Sequence, residues 1–169
     1  MSIHPTSARE SSSSQGFSTI ELLIVVVIVL IVISYTLTTV VRGQKPAQRA
    51  NAARQLANYL EQARNDSVRR RANAAAQMAQ VTILNDKYYS VMLDANGDGT
   101  LDTPLVINLN DQRVSLNGPF PRTFMFDLAG KPVDTSANVI HPGPITITNS
   151  SGVTTIKVSD AGQSPNIQP

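Results

Sequence analysis

The sequence predicts an α+β protein in which a long, bent N-terminal helix packs on an antiparallel β-sheet head. Three observations predict this fold. Residues 22–41 form an uncharged apolar run, residues 46–76 repeat apolar side chains at helical spacing, and residues 77–169 contain short runs of alternating apolar and polar side chains. The first two patterns are typical of helices, and the third is typical of strands.

The first half of the predicted helix has the length and composition of a membrane span. Residues 22–41 read LLIVVVIVLIVISYTLTTVV, which is twenty residues without a charge, Gly or Pro. At ~1.5 Å per residue, such a helix covers ~30 Å, the hydrocarbon thickness of a bilayer. A removable secretory signal is the alternative, but its apolar region would be shorter and a small-residue cleavage site would follow it. We therefore predict a transmembrane segment within residues 17–45.

The segment before this run is polar, serine-rich and ends in Gly16, so residues 1–16 are expected to be disordered or removed. Glu21 stands at the threshold of the span. A charged side chain at mid-membrane costs ~2.5–3.5 kcal/mol and marks a functional site by default. Alternatively, Glu21 lies at headgroup depth near the positive end of the helix dipole. The residues alone leave both interpretations open.

Residues 16–34 resemble the type IV prepilin signature, in which a polar leader ends in Gly16, Phe17 follows, and Glu21 precedes an apolar helix. The resemblance implies cleavage between Gly16 and Phe17 by an inner-membrane prepilin peptidase, followed by N-methylation of Phe17. It also implies that Glu21 pairs with the N-terminal ammonium of a neighbouring subunit during filament growth. The implied fold is pilin-like, and the implied first helix becomes the core of a helical filament.

Basic residues follow the span instead of preceding it, at Arg42, Lys45, Arg49 and Arg54. By the positive-inside rule, this distribution would place the head in the cytoplasm. The prepilin resemblance places a single-pass protein in the bacterial inner membrane with its head in the periplasm or on an extracellular filament. We follow the cleavage motif and keep a membrane-anchored protein with a cytoplasmic head as the alternative.

Residues 46–76 predict an amphipathic helix, with Pro46 expected to bend the rod near residues 43–45. Its apolar face consists of Ala50, Ala53, Leu56, Ala57, Leu60, Ala63, Ser67 and Val68. Residues 42–71 hold eight basic and two acidic side chains, whereas residues 72–169 hold five basic and eight acidic ones. Arg69, Arg70 and Arg71 are a candidate anion site for lipid phosphate or nucleic acid. The alternative is an exposed face that pairs with acidic heads of adjacent subunits.

Residues 77–169 predict a head with one antiparallel sheet of six or seven strands. Hairpins are expected at 80–93, 105–116 and 144–159, because alternating runs flank Asn, Asp, Ser and Gly in each. A further strand is expected over 122–128, and 163–169 is expected to be a loose tail.

The head most resembles the H-type minor pilins and pseudopilins, the GspH/FimT group, on residues 63–70, 93–99 and 124–132. That group carries two sheets after a long helix. The resemblance implies a structural subunit of a type II secretion pseudopilus or a type IV pilus, which supports protein secretion or pilus biogenesis. Its implied partners are prepilin peptidase, other pilins or pseudopilins, an inner-membrane assembly platform and, before assembly, membrane lipid.

Residues 94–102 read DANGDGTLD and resemble a calcium loop, with candidate ligands Asp94, Asn96, Asp98, Thr100 and Asp102. Leu105 stands where such a loop needs a bidentate Glu, so the alternative is a solvated hairpin loop. Apart from this possible calcium ion, no cofactor is predicted.

Enzymatic activity is not predicted. The chain has no Cys, its histidines are His4 and His141, and it shows no nucleophile motif or phosphate-binding Gly-rich loop. DNA capture by a minor pilin is the rival function, but the net acidic head and the uncharged tail argue against nucleic acid as a partner.

Overall fold

A computed structural model describes residues 18–161 and 163–168, without the side chains of residues 37–42. The predicted leader, Gly16 and Phe17 lie outside the described residues. Residues 1–41 and 42–169 form two compact units, and each is described by itself. Helix α1 is assigned over Thr19–Arg70 and includes Pro46. The bend predicted near residues 43–45 stays a prediction.

Helix α1 ends where two backbone hydrogen bonds close its last turn. Arg71 adopts a left-handed conformation with φ of 53°. The Arg71 N–H donates to the Val68 carbonyl at 3.2 Å, and the Ala72 N–H donates to the Ser67 carbonyl at 3.0 Å. This pair of bonds is the Schellman arrangement, which satisfies carbonyls that the helix end leaves without partners. Arg71 occupies the position that Gly usually fills.

Nine strands within the described residues form two antiparallel sheets. The strands are β1 Gln80–Ile83, β2 Tyr88–Met92, β3 Leu105–Asn108, β4 Ser115–Asn117, β5 Arg122–Phe126, β6 Pro132–Val133, β7 Ile145–Asn149, β8 Gly152–Lys157 and β9 Asn166–Gln168. The first sheet has the order β3-β2-β1-β5-β6 and the second has the order β4-β7-β8-β9. The prediction of a single sheet was therefore wrong, whereas the α+β fold class is confirmed.

The hairpins β1–β2 and β7–β8 are confirmed, with Val81 opposite Val91 and Ile147 opposite Thr154. The hairpin predicted over 105–116 is wrong. A short 3-10 helix at Asn110–Gln112 and a left-handed Arg113 turn the chain from β3 in the first sheet to β4 in the second. Leu109 and Val114 are buried on either side of this crossing, so burial of both side chains favours the crossing over a hairpin.

The tail was also predicted wrongly, because β9 pairs with β8 and places Ile167 against the core. The core lies between the amphipathic part of α1 and the inner faces of both sheets. From the helix it includes Ala52, Ala53, Leu56, Leu60 and Ala63, and from the sheets Val81, Tyr89, Phe124, Ile145, Ile147 and Ile156. Most of the predicted apolar face is confirmed, although Val68 at its end is exposed.

Tyr89 is fully buried on β2, where its ring meets Tyr59 edge-on with centroids 6.2 Å apart. Its hydroxyl has no hydrogen-bond partner within the described part of the chain, and burial raises its pKa. A buried hydroxyl without a partner costs ~1–3 kcal/mol. Tyr89→Phe is therefore expected to raise the free energy of unfolding by ~1 kcal/mol, measured by urea unfolding. Tyr88→Phe is the control, and a loss of stability at position 89 would contradict this prediction.

The turn between β5 and β6 approaches α1 at Gly130, which has φ of +74°. A Cβ there would lie 3.2 Å from Arg64 Nη1 and 3.4 Å from a Val68 methyl carbon. Gly130→Ala is expected to destabilise the head by ~1–3 kcal/mol in urea unfolding, because backbone strain and crowding add. Gly99→Ala separates the two effects, since Gly99 has φ of +90° and open space around it. Equal losses at both positions would contradict a close approach at Gly130.

Candidate functional site

The first compact unit presents an apolar helix with no buried residue among those described. Residues Thr19–Thr36 are long and apolar enough to cross a membrane, and none of them is covered by the rest of the chain. This span overlaps the predicted run of 22–41. Glu21 lies in the first turn of α1, and its side chain is exposed. The unit therefore places one carboxylate at the start of an uncovered apolar surface.

At the other end of α1, two arginines close around a buried carboxylate. Asp66 accepts hydrogen bonds from Arg70 Nε at 3.0 Å, Arg70 Nη2 at 2.7 Å and Arg69 Nη2 at 2.9 Å. The Asp94 N–H also donates to Asp66 at 3.3 Å. Burial alone would raise the pKa of Asp66, but these hydrogen bonds outweigh it and lower the pKa. We call Asp66, Arg69, Arg70 and Asp94 the helix-end cluster.

Asp94 connects the helix-end cluster to the loop of residues 94–102. Its side chain is only 1% exposed and lies 3.5 Å from Arg69. Asp94 Oδ1 accepts hydrogen bonds from the Gly97 N–H at 2.6 Å and the Asp98 N–H at 3.1 Å, and Oδ2 accepts from the Gly99 N–H at 3.0 Å. Asp94 therefore holds the loop in shape against the end of α1.

The other candidate calcium ligands are engaged in hydrogen bonds within the same loop. Asp98 accepts from the Thr100 hydroxyl and the Thr100 N–H, and these bonds lower its pKa. Asp102 Oδ2 accepts from the Ala95 N–H at 2.8 Å. Among the described residues, no three acidic, His or Cys side chains form a group that could hold a metal ion. Calcium binding stays a prediction.

The arginines singled out for nucleic acid have unequal surroundings. Arg70 is 10% exposed and Arg69 is 57% exposed, and both pair with Asp66 and Asp94. Arg71 is exposed. Carboxylates of the same chain thus neutralise two of the three charges. His141 is also exposed, and its Nδ1 lies 2.7 Å from Asp160.

One arginine that sequence reasoning did not single out is held by the β7–β8 hairpin. Arg49 Nε donates to the Thr154 hydroxyl at 2.9 Å, and Nη1 donates to the Ser151 hydroxyl at 3.4 Å. Gly152 leaves the space that this guanidinium occupies, because a Cβ there would lie 2.5 Å from Nη1. The hairpin turn was predicted, but no local signal could link it to Arg49.

An apolar N-terminal helix, followed by an amphipathic segment that packs on antiparallel sheets, defines the pilin-like class of α+β proteins. A sequence profile of the family described as "Type II transport protein GspH" matches residues 52–162, more than half of the chain, so the chain belongs to this family. No curated protein and no solved structure gives a significant match. The predicted resemblance to the GspH group is thus confirmed, and it supports a type II secretion role alongside other pseudopilins.

Proposed function

We propose that this chain is a structural, non-enzymatic minor pseudopilin of a type II secretion system. The observation that carries the proposal is the family match over residues 52–162, which covers the C-terminal part of α1 and most of the head. The same chain has an N-terminal helix long and apolar enough to span a membrane. The match favours a type II secretion pseudopilus over a type IV pilus as the assembly that takes up the subunit.

The proposed maturation begins with prepilin peptidase, which cleaves after Gly16 and exposes the amine of Phe17 for N-methylation. The mature subunit waits in the inner membrane with its head in the periplasm. Lipid then covers the apolar side chains of residues 19–36, which nothing in the described chain covers. An uncovered apolar helix of this length is stable only in lipid or against other apolar helices.

Assembly exchanges lipid contacts for contacts with neighbouring helices after an inner-membrane platform lifts the subunit. In this step we expect the Glu21 carboxylate to form an ion pair with the N-terminal ammonium of an adjacent subunit. The carboxylate lies in the first turn of α1, four positions in sequence after Phe17, which would carry the new amine. Burial of either charge alone would be costly, and pairing offsets much of that cost.

In vivo crosslinking of the native protein, followed by mass spectrometry of the protein and its partners, tests the proposal. We expect other pseudopilins and secretion-channel components among the partners, together with an N-methylated Phe17 at the N-terminus. A major pilin as the main partner would move the subunit to a type IV pilus. An intact leader with cytoplasmic partners would overturn the proposal.

A Gly16→Asp variant probes the cleavage step directly. We expect retention of the leader, because the peptidase must approach the backbone closely at a residue without a side chain. Intact-mass measurement of the membrane fraction separates the precursor from the processed form. A fully processed variant would contradict the assigned cleavage position.

A further inference from the structure

Among the described residues, the ion pairs along the amphipathic part of α1 lie near its C-terminal end. Arg64, Arg69 and Arg70 near its C-terminal end pair with Glu61, Asp66 and Asp94. A second basic group, Lys45, Arg49 and Arg54, lies nearer the apolar run in sequence. Within residues 18–161 and 163–168, no carboxylate forms an ion pair with any of these three side chains.

Arg49 is nevertheless held in place, by neutral partners. Thr154, which accepts from its Nε, is only 4% exposed. Ser151 accepts from Nη1, and Gly152 provides the space for the guanidinium. The hairpin therefore fixes the position of this cation without cancelling its charge. A guanidinium with unused donors is suited to phosphate oxygens, which it binds through parallel N–H groups.

The fixed guanidinium lines a groove of about 420 Å³ within the second compact unit. Among the described residues, two arginines, one hydroxyl-bearing residue and three apolar residues line it, and none of these is acidic or aromatic. They are Pro46, Arg49, Ala50, Arg54, Thr154 and Ile167. The groove thus combines two cations with apolar surface, the combination that a phosphate group attached to a hydrocarbon chain requires.

We propose that this groove, here called the Arg49 groove, binds the headgroup of an anionic phospholipid. Arg49 and Arg54 follow the last residue of the first unit, Val41, by eight and thirteen positions. Basic residues that follow a membrane span in sequence are the ones that anionic lipid headgroups attract. Single-stranded nucleic acid would call for aromatic side chains to stack on bases, and none of the described residues that line the groove is aromatic. The proposal rests on the apolar helix spanning a membrane, and not on cleavage or filament assembly.

Competition between two lipids tests the proposal on the full chain. The protein, in a non-ionic detergent with equimolar phosphatidylglycerol and phosphatidylcholine, is examined by native mass spectrometry, which counts each retained lipid. We expect the wild type to retain phosphatidylglycerol preferentially. Each basic residue near an anionic membrane contributes roughly 1 kcal/mol, so Arg49→Gln and Arg54→Gln should each reduce the preference about fivefold.

Arg113→Gln is the matched control, because it removes one exposed arginine that is not among the residues lining the groove, and it should leave the lipid ratio unchanged. Arg54→Gln is needed beside Arg49→Gln because Arg49→Gln also removes hydrogen bonds to the hairpin and could disturb the fold. An unchanged ratio in Arg54→Gln, or an equal loss in Arg113→Gln, would overturn the proposal.

Two further outcomes distinguish other anions from lipid. Displacement of phosphatidylglycerol by millimolar inorganic phosphate would make the groove a site for free phosphate. An unchanged lipid ratio, together with loss of in vivo crosslinks to another pseudopilin in Arg54→Gln, would assign the groove to acidic protein side chains. Either result would overturn the lipid assignment, and neither would affect the proposed secretion role.

Discussion

Glu21→Ala is expected to permit leader cleavage and to reduce incorporation into the pseudopilus by more than about a hundredfold. In the proposed filament, Glu21 neutralises the amine of a neighbouring subunit inside an apolar helix bundle. Removal of one partner from a buried ion pair costs ~3–5 kcal/mol, because the other charge stays buried and unpaired. A loss of that size corresponds to two powers of ten or more in an association constant.

The measurement compares processed subunit in the membrane with subunit in sheared filaments, by quantitative immunoblotting. Ser34→Ala is the control, since it changes a polar residue of the same exposed helix but no charge. The Ser34 hydroxyl donates to the Leu30 carbonyl of the same helix at 2.8 Å. Normal incorporation of Glu21→Ala would refute the role assigned to Glu21, while a block of its cleavage would place the residue in peptidase recognition.

Local sequence patterns predicted an element correctly where interactions between neighbouring residues determine its structure. The helical spacing of Leu56, Leu60 and Ala63 predicted a face that is buried. The hairpin β7–β8 turns at Ser150 and Ser151, and the sequence shows both flanking strands and the turn. In these segments the residues that form the element are also neighbours in sequence, so a short window contains the information.

Prediction failed where distant segments compete for the same partner. Asn110–Gln112 has the composition of a hairpin turn, yet the chain crosses to the second sheet there because Leu109 and Val114 are buried in the shared core. Strand β9 forms because its backbone pairs with the edge of β8, and this pairing partly buries Ile167 against the core. Neither the edge nor the core is visible in a short window of sequence.

The candidate sites show the same limit. The acidic loop was recognisable from its composition, but Asp94 caps backbone N–H groups of that loop and contacts Arg69, which is 25 residues away in sequence. Likewise, Arg49 meets Thr154 across 105 residues. Sequence identifies which residue types can bind an ion, whereas only the fold shows which of them already have partners.

Asp66→Asn is expected to cause the largest loss of stability in the head, ~3–5 kcal/mol at neutral pH. The carboxylate is buried and binds both Arg69 and Arg70, and Arg70 is itself only 10% exposed. The neutral amide would leave the Arg70 charge largely out of water, with only the more distant Asp94 carboxylate, at 3.8 Å, as a counter-charge. Loss of the Asp94 contact should also loosen residues 94–102, which Asp94 holds against the end of α1.

Urea unfolding of the full chain in non-ionic detergent measures this loss, with Glu61→Gln as the matched control. Glu61 also pairs with an arginine on α1, Arg64, at 2.6 Å, but both side chains are partly exposed. Partly exposed pairs contribute only ~0.2–1 kcal/mol. Comparable losses in the two variants would contradict the view that burial makes the helix-end cluster more important than the Glu61 pair.

The pH dependence gives an independent check on the same carboxylate. Hydrogen bonds from Arg70 and Arg69 outweigh burial and lower the pKa of Asp66 below its usual value of 3.8. The unfolded chain therefore takes up this proton first as pH falls, so the contribution of Asp66 is present above about pH 4 and is lost progressively below it. The stability difference between wild type and Asp66→Asn should shrink below pH 4, because the other carboxylates titrate in both proteins. A difference that stays constant through this range would show that Asp66 stabilises the head by packing and not by its charge.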